Sequence, residues 1–92
     1  MTELARCEAH FSGQVQGVGF RYSTHRLASD FAVSGFVKNL ADGRVQVVVE
    51  GSKSEMQRFV QAIESEMAQY IDHVEVTRSR ATGEFTGFEI RR

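Results

Sequence analysis

Three glycines fall within seven residues, Gly13-Gln14-Val15-Gln16-Gly17-Val18-Gly19, between a run of alternating residues and a run of helical period, and Phe20-Arg21 follows at once. A backbone turns this sharply from strand to helix only where positive φ is accessible, so the stretch fixes one junction of the fold. The same freedom brings several N–H groups round to one point, as in a main-chain nest for an anion. Arg21 adds a permanent cation with a planar fork of donors suited to phosphate oxygens. The spacing G-x-x-x-G-x-G is neither the dinucleotide fingerprint G-x-G-x-x-G nor the nucleotide loop G-x-x-x-x-G-K-[ST], so a nucleotide with magnesium is not the expected ligand.

The periods on either side of the loop set the architecture. Cys7, Ala9 and Phe11 alternate with Glu8, His10 and Ser12, which predicts a half-buried first strand over Cys7 to Ser12. Phe20, Thr24, Leu27, Ala28 and Phe31 recur at helical spacing and predict a helix from Phe20 to about Ala32. Val33 to Leu40 reads as a second strand, Ala41-Asp42-Gly43 as a hairpin turn, and Arg44 to Glu50 as a third strand with Val45, Val47 and Val49 on one face. Gly51 is expected to break that strand. Ser52-Lys53-Ser54-Glu55 then fits a capping box, its hydroxyl and carboxylate each satisfying a backbone donor at the helix start. Met56, Phe59, Val60, Ile63 and Met67 mark the buried stripe of that second helix, Ile71 to Arg78 carries a fourth strand, and Phe88 to Arg91 a short closing strand.

The order βαββαβ predicts an α+β fold of the ferredoxin-like kind, an antiparallel sheet with two helices on one face. Right-handed crossovers then make strands one and two parallel, with strand three between them. Their carboxyl ends share one edge of the sheet, about 10 Å apart. The glycine loop leaves one of them and Asn39 ends the other, so Arg21 and Asn39, eighteen positions apart, can converge on one site.

Two segments carry a resemblance. Gly13 to Arg21, with the pattern G-x-V-Q-G-V-x-F-R, and Gly35-Phe36-Val37-Lys38-Asn39-Leu40-Ala41-Asp42-Gly43, with G-x-V-x-N-x-x-D-G, together resemble the acylphosphatase family. The match covers essentially the whole chain, residues 1–92, as a single acylphosphatase-like domain. Gln14 departs from the arginine that many members carry there, which weakens the positive field over the loop. The resemblance implies hydrolysis of the carboxyl-phosphate bond of acyl phosphates to carboxylate and inorganic phosphate. It implies that Arg21 binds the substrate phosphate and Asn39 positions the nucleophilic water. Domains of this kind also occur inside larger maturation proteins; the methionine start and the end just after the closing strand favour a free-standing enzyme as the expectation.

The residues allow the same chemistry. Backbone amides of Val15, Gln16, Gly17, Val18, Gly19 and Phe20, with the Arg21 guanidinium, would hold phosphoryl oxygens, while the Asn39 carboxamide orients a water without bringing negative charge to the phosphate. No general base, metal cluster or activated nucleophile stands in either segment. An acyl phosphate leaves as the conjugate base of an acid of pKa about 4, so it needs no general acid, and phosphoryl transfer demands mainly positioning and charge stabilisation. No metal and no cofactor are called for.

Composition removes other classes. The net charge of −1 lacks the basic excess of a general nucleic-acid binder. An RNA-binding variant of this topology would need aromatics on strand three, and Arg44 to Glu50 has none. One cysteine, Cys7, permits no internal disulfide and suits a reducing cytoplasm. Met1 to Arg6 is followed by no long apolar run, so neither a signal peptide nor a membrane span is expected. His10, His25 and His73 match no metal spacing, Asp42 reads as turn chemistry, and the Arg91-Arg92 tail as an uninvolved basic pair. With no apolar surface stripe, a monomer is the default.

Overall fold

A computed structural model describes residues 3–92; the first two residues of the Met1–Arg6 segment lie outside the described residues. The chain runs β1 (Leu4–Gly13), α1 (Phe20–Ala28), β2 (Val33–Asn39), β3 (Val45–Ser52), α2 (Lys53–Glu66), a 3₁₀ turn (Ala68–Tyr70), β4 (Ile71–Arg80) and β5 (Phe88–Arg91). The five strands form one sheet in the order β4-β1-β3-β2-β5. β3 is antiparallel to both β1 and β2, so β1 and β2 are parallel with β3 between them, as the crossovers require.

The core forms where the two periods meet. Cys7, Ala9 and Phe11 of β1 stand opposite Val49, Val47 and Val45 of β3, and Val37 of β2 stands opposite Val47. These residues are buried against Met56, Phe59, Val60 and Ile63 of α2 and Phe20 and Ala28 of α1. Phe11 at the end of β1 and Phe20 at the start of α1 place their rings 5.1 Å apart, which closes the core beneath the glycine loop and pins both of its ends.

Several boundaries move for identifiable reasons. α1 stops at Ala28 rather than near Ala32, because its exit tightens: the N–H groups of Ser29, Asp30 and Phe31 donate three residues back, to Arg26, Leu27 and Ala28, and the Ser29 hydroxyl donates to the Arg26 carbonyl at 2.7 Å. Gly51 does not break β3; it pairs with Ala5 and Val33, and a Cβ there would stand 2.8 Å from the Ala32 carbonyl oxygen. The Ser52 hydroxyl caps α2 by accepting from the Glu55 N–H, but the Glu55 carboxylate accepts from the N–H of Ala32, at 2.9 Å, instead of closing the box.

The sheet is mixed rather than wholly antiparallel, because β5 pairs parallel with β2. Between β4 and β5 the chain crosses the helix-free face from one edge of the sheet to the other. It is held there by Glu50, a carboxylate only 5 % exposed. Glu50 accepts from the N–H of Thr82 (2.8 Å), the N–H of Gly83 (2.9 Å), the Thr82 hydroxyl and the Arg6 guanidinium. Burial pushes the Glu50 carboxyl up, but these four donors outweigh it and its pKa is lowered. Phe85 packs on Phe36, ring centres 5.9 Å apart, and the Arg91 guanidinium lies 4.1 Å from the centre of the Phe36 ring.

Candidate active site

The glycine loop is anchored at both ends and free in the middle. Its entry is held by the Gln14 N–H, which donates to the Tyr70 carbonyl at 2.9 Å, and by Val15, whose side chain is fully buried in the core. Gln16 turns its carboxamide outward to the β2–β3 hairpin, donating to the carbonyls of Leu40 (2.8 Å) and Arg44 (3.0 Å). Gly17 and Gly19 both hold φ at 80°, and no non-glycine residue described has positive φ, so the sign of φ alternates through Gly17-Val18-Gly19. Alternation of this kind turns successive N–H groups toward one side, which makes the concavity of a nest.

Gly19 is also the N-cap of α1, and it offers no side chain to satisfy the first turn. The amides of the first turn, Phe20, Arg21 and Tyr22, are therefore left without a capping side chain at the positive end of the helix dipole. No acidic residue lies in that first turn. Arg21 is half-buried. Arg6, Arg26, Arg44, Arg58 and Arg91 each pair with a carboxylate, whereas the Arg21 guanidinium, like those of Arg78, Arg80 and Arg92, has no ion-pair or hydrogen-bond partner among the described residues.

Asn39 closes β2 opposite Val45, on the helix-facing side of the sheet. Its Oδ1 is buried and has no hydrogen-bond partner among the described residues. Buried acceptors are nearly always satisfied, so an unbonded one is unusual; the Thr24 hydroxyl in α1 is the other buried side-chain atom left without a partner among the described residues. The turn that follows is stiffened by Asp42, which accepts from the N–H and Nε of Arg44 at 3.0 and 2.8 Å. These bonds hold the Asp42 carboxyl below its usual range and account for the residue as turn chemistry.

The two segments meet in a cleft of about 440 Å³ walled by Gly19, Arg21, Tyr22, Asn39, Ile90 and Arg92, with Phe20 at its base. Arg21, Asn39, Gly19 and Phe20 of the sequence-predicted set are thus brought together. Val15, Gln16, Gly17 and Val18 do not line it: Val15 belongs to the core, Gln16 to the hairpin, and Gly17 and Val18 to the curl beside it. Tyr22 and Ile90 are walls that the sequence reading did not assign, and Arg92, read there as half of an uninvolved basic pair, is a third. Ile90 and Arg92 arrive with β5, whose parallel register sets Ile90 beside Val37 and Arg91 beside Lys38. The next step along that register carries Arg92 toward Asn39. No side-chain carboxylate lines the cleft.

The family model for acylphosphatase matches residues 7–90. The chain belongs to the acylphosphatase family. It is 42 % identical to an acylphosphatase from Roseiflexus sp. (strain RS-1), over 98 % of each chain. A crystal structure of acylphosphatase from Bacillus subtilis superposes with a TM-score of 0.86 at 32 % identity, covering 96 % of this chain and 99 % of that one. Full-length HypF, in a phosphate- and nucleotide-bound form, contains a similar fold at 25 % identity and a TM-score of 0.85, this chain covering 12 % of its length. The protein is accordingly an enzyme of the acylphosphatase type, whose reaction is hydrolysis of acyl phosphates. The α+β ferredoxin-like fold expected from the element order is that of the family. Among the described residues no three His, Cys, Asp or Glu side chains gather as a metal site, and no helix is long and apolar enough to cross a membrane.

Proposed function

We propose that the enzyme hydrolyses acyl phosphates without a metal, with the phosphoryl group held by the amides of the Gly17-Val18-Gly19 curl and of Phe20 and by the Arg21 guanidinium, and with Asn39 aiming the attacking water. The amides of the nest and the first turn of α1 donate to the phosphoryl oxygens, and Arg21 donates its fork to the same group. The Asn39 Oδ1 accepts a hydrogen bond from the water, leaving an oxygen lone pair directed at phosphorus. The water oxygen bonds to phosphorus as the bond from phosphorus to the acyl oxygen breaks. The electron pair leaves with the carboxylate, and the water proton passes to the phosphate product. Because the carboxylate is a weak base, no general acid is needed at its departure.

The single observation that carries this reading is that Asn39, whose Oδ1 has no partner among the described residues, walls the same cleft as Arg21, whose guanidinium is unpaired among them. Asn39→Ala should lower kcat for benzoyl phosphate by about 10²-fold or more while inhibition by inorganic phosphate stays near the parent value. A variant that turns over at the parental rate refutes the water-positioning role. Addition of EDTA should leave the wild-type rate unchanged, and a clear loss would refute the metal-free mechanism.

The chain acts as a monomer in the cytoplasm and takes no nucleic acid as partner. Support comes from the lone cysteine, Cys7, which is 3 % exposed and whose thiol is pushed up by burial, so it is inert, and from the net charge of −1. Sedimentation of the purified chain tests the monomer, cell fractionation the cytoplasmic location, and a salt-dependent RNA shift assay the absence of a nucleic-acid partner.

A further inference from the structure

The phosphate half of the substrate occupies the helix terminus, Arg21 and Asn39, and this leaves the rest of the same cleft to the acyl half. Tyr22 and Ile90 wall that remainder. They are 78 % and 38 % exposed, two of the four large hydrophobic side chains that the described residues leave open. The core does not need them there. On α1 the buried stripe is Phe20, Thr24 and Ala28, and Tyr22 lies off it. On β5, Phe88 already packs against Phe59, ring centres 5.4 Å apart, while Ile90, two residues on and on the same face, stays open to the cleft.

Two apolar walls beside an anion grip are suited to a ligand that is charged at one end and apolar at the other. A phosphoryl group held at the α1 terminus leaves to the acyl group bonded to it the part of the cleft that Tyr22 and Ile90 wall. An acetyl group offers such walls a single methyl, whereas an aromatic ring offers them a whole apolar face. We propose that Tyr22 and Ile90 form an acyl subsite that makes the enzyme prefer acyl phosphates with aromatic or bulky apolar acyl groups over acetyl phosphate. The inference rests on the assignment of the phosphate half to the loop, Arg21 and Asn39.

The test compares kcat/KM for benzoyl phosphate and acetyl phosphate in the wild type, Tyr22→Ser, Ile90→Ser, Tyr22→Phe and Arg21→Ala. Both serine variants should lower the benzoyl-to-acetyl ratio by about tenfold, the size of effect expected from a partial apolar pocket, and should do so chiefly through KM for benzoyl phosphate. Tyr22→Phe should keep the ratio, because the ring face and not the hydroxyl makes the wall. An unchanged ratio in both serine variants, with Arg21→Ala depressing both substrates, overturns the acyl subsite alone. If Arg21→Ala depresses neither substrate, the phosphate assignment falls and the subsite with it.

Discussion

The Gln16 side-chain amide donates to the Leu40 carbonyl at 2.8 Å, so the glycine loop is tied to the residue that follows Asn39. A second bond from the same nitrogen to the Arg44 carbonyl, 3.0 Å, makes the tie a bridge across the mouth of the hairpin. Arg21 stands at the start of a helix and Asn39 at the end of a strand, and this bridge joins the loop before the one to the turn after the other. Gln16→Ala should therefore lower kcat/KM about tenfold, because misplacing a positioned water is costly, while lowering stability by only about 1 kcal/mol. Steady-state kinetics set beside urea denaturation separate the two effects; equal proportional losses would mean that the bridge is merely structural.

Charge alone should not replace Arg21. A lysine keeps the cation but loses the planar fork, so Arg21→Lys should raise the inhibition constant for inorganic phosphate by about tenfold. Arg21→Ala should nearly abolish both phosphate inhibition and turnover. Competitive inhibition by phosphate measured on the two variants checks the ranking.

Gly19 and Gly35 should fail differently. At Gly19 an added Cβ meets nothing within 4 Å, so alanine there costs only the left-handed backbone, about 1–2 kcal/mol, and the loss should appear in activity as the nest relaxes. At Gly35 the Cβ would stand 1.9 Å from the Val48 carbonyl oxygen, in the middle of the β2–β3 pairing. Gly35→Ala should not fold to the native sheet. Circular dichroism melts of both variants, with activity for Gly19→Ala, test the contrast.

Glu50 makes stability depend on pH in a predictable sense. Its folded pKa lies below the value of about 4.3 expected in the unfolded chain, so its contribution is fully present above that value and is lost as pH falls through the folded pKa. Thermal melts from pH 6 to pH 3 should show the midpoint of Glu50→Gln falling less steeply than that of the wild type below about pH 4.3. Parallel curves would show that the carboxylate does not hold the crossing segment. The substitution also loosens the route to β5, and hence the Ile90 and Arg92 walls.

Much of this was legible in the residues because it depends on local geometry. Alternation placed Cys7, Ala9 and Phe11 on one face, and helical spacing placed Met56, Phe59, Val60, Ile63 and Met67, all of which are buried. The cap at Ser52 was legible in its hydroxyl, but the partner of Glu55 was not, since Ala32 lies 23 positions away. Phe36 and Glu50 lie on the face of the sheet away from the helices, and they are buried because segment 81–87 covers that face, a long-range event with no periodic signature.

The sequence by itself determined which residues can grip an anion and which strand ends share an edge, because glycine φ, the period of side chains and the handedness of crossovers act over a few residues at a time. Only the tertiary structure decided that Gln16 serves the hairpin, that the Asn39 acceptor is left unbonded, and that β5 enters parallel to β2 and delivers Ile90 and Arg92 to the cleft. Each of these joins groups far apart in the chain, and such pairings are chosen by how the whole sheet closes rather than by any neighbour in sequence.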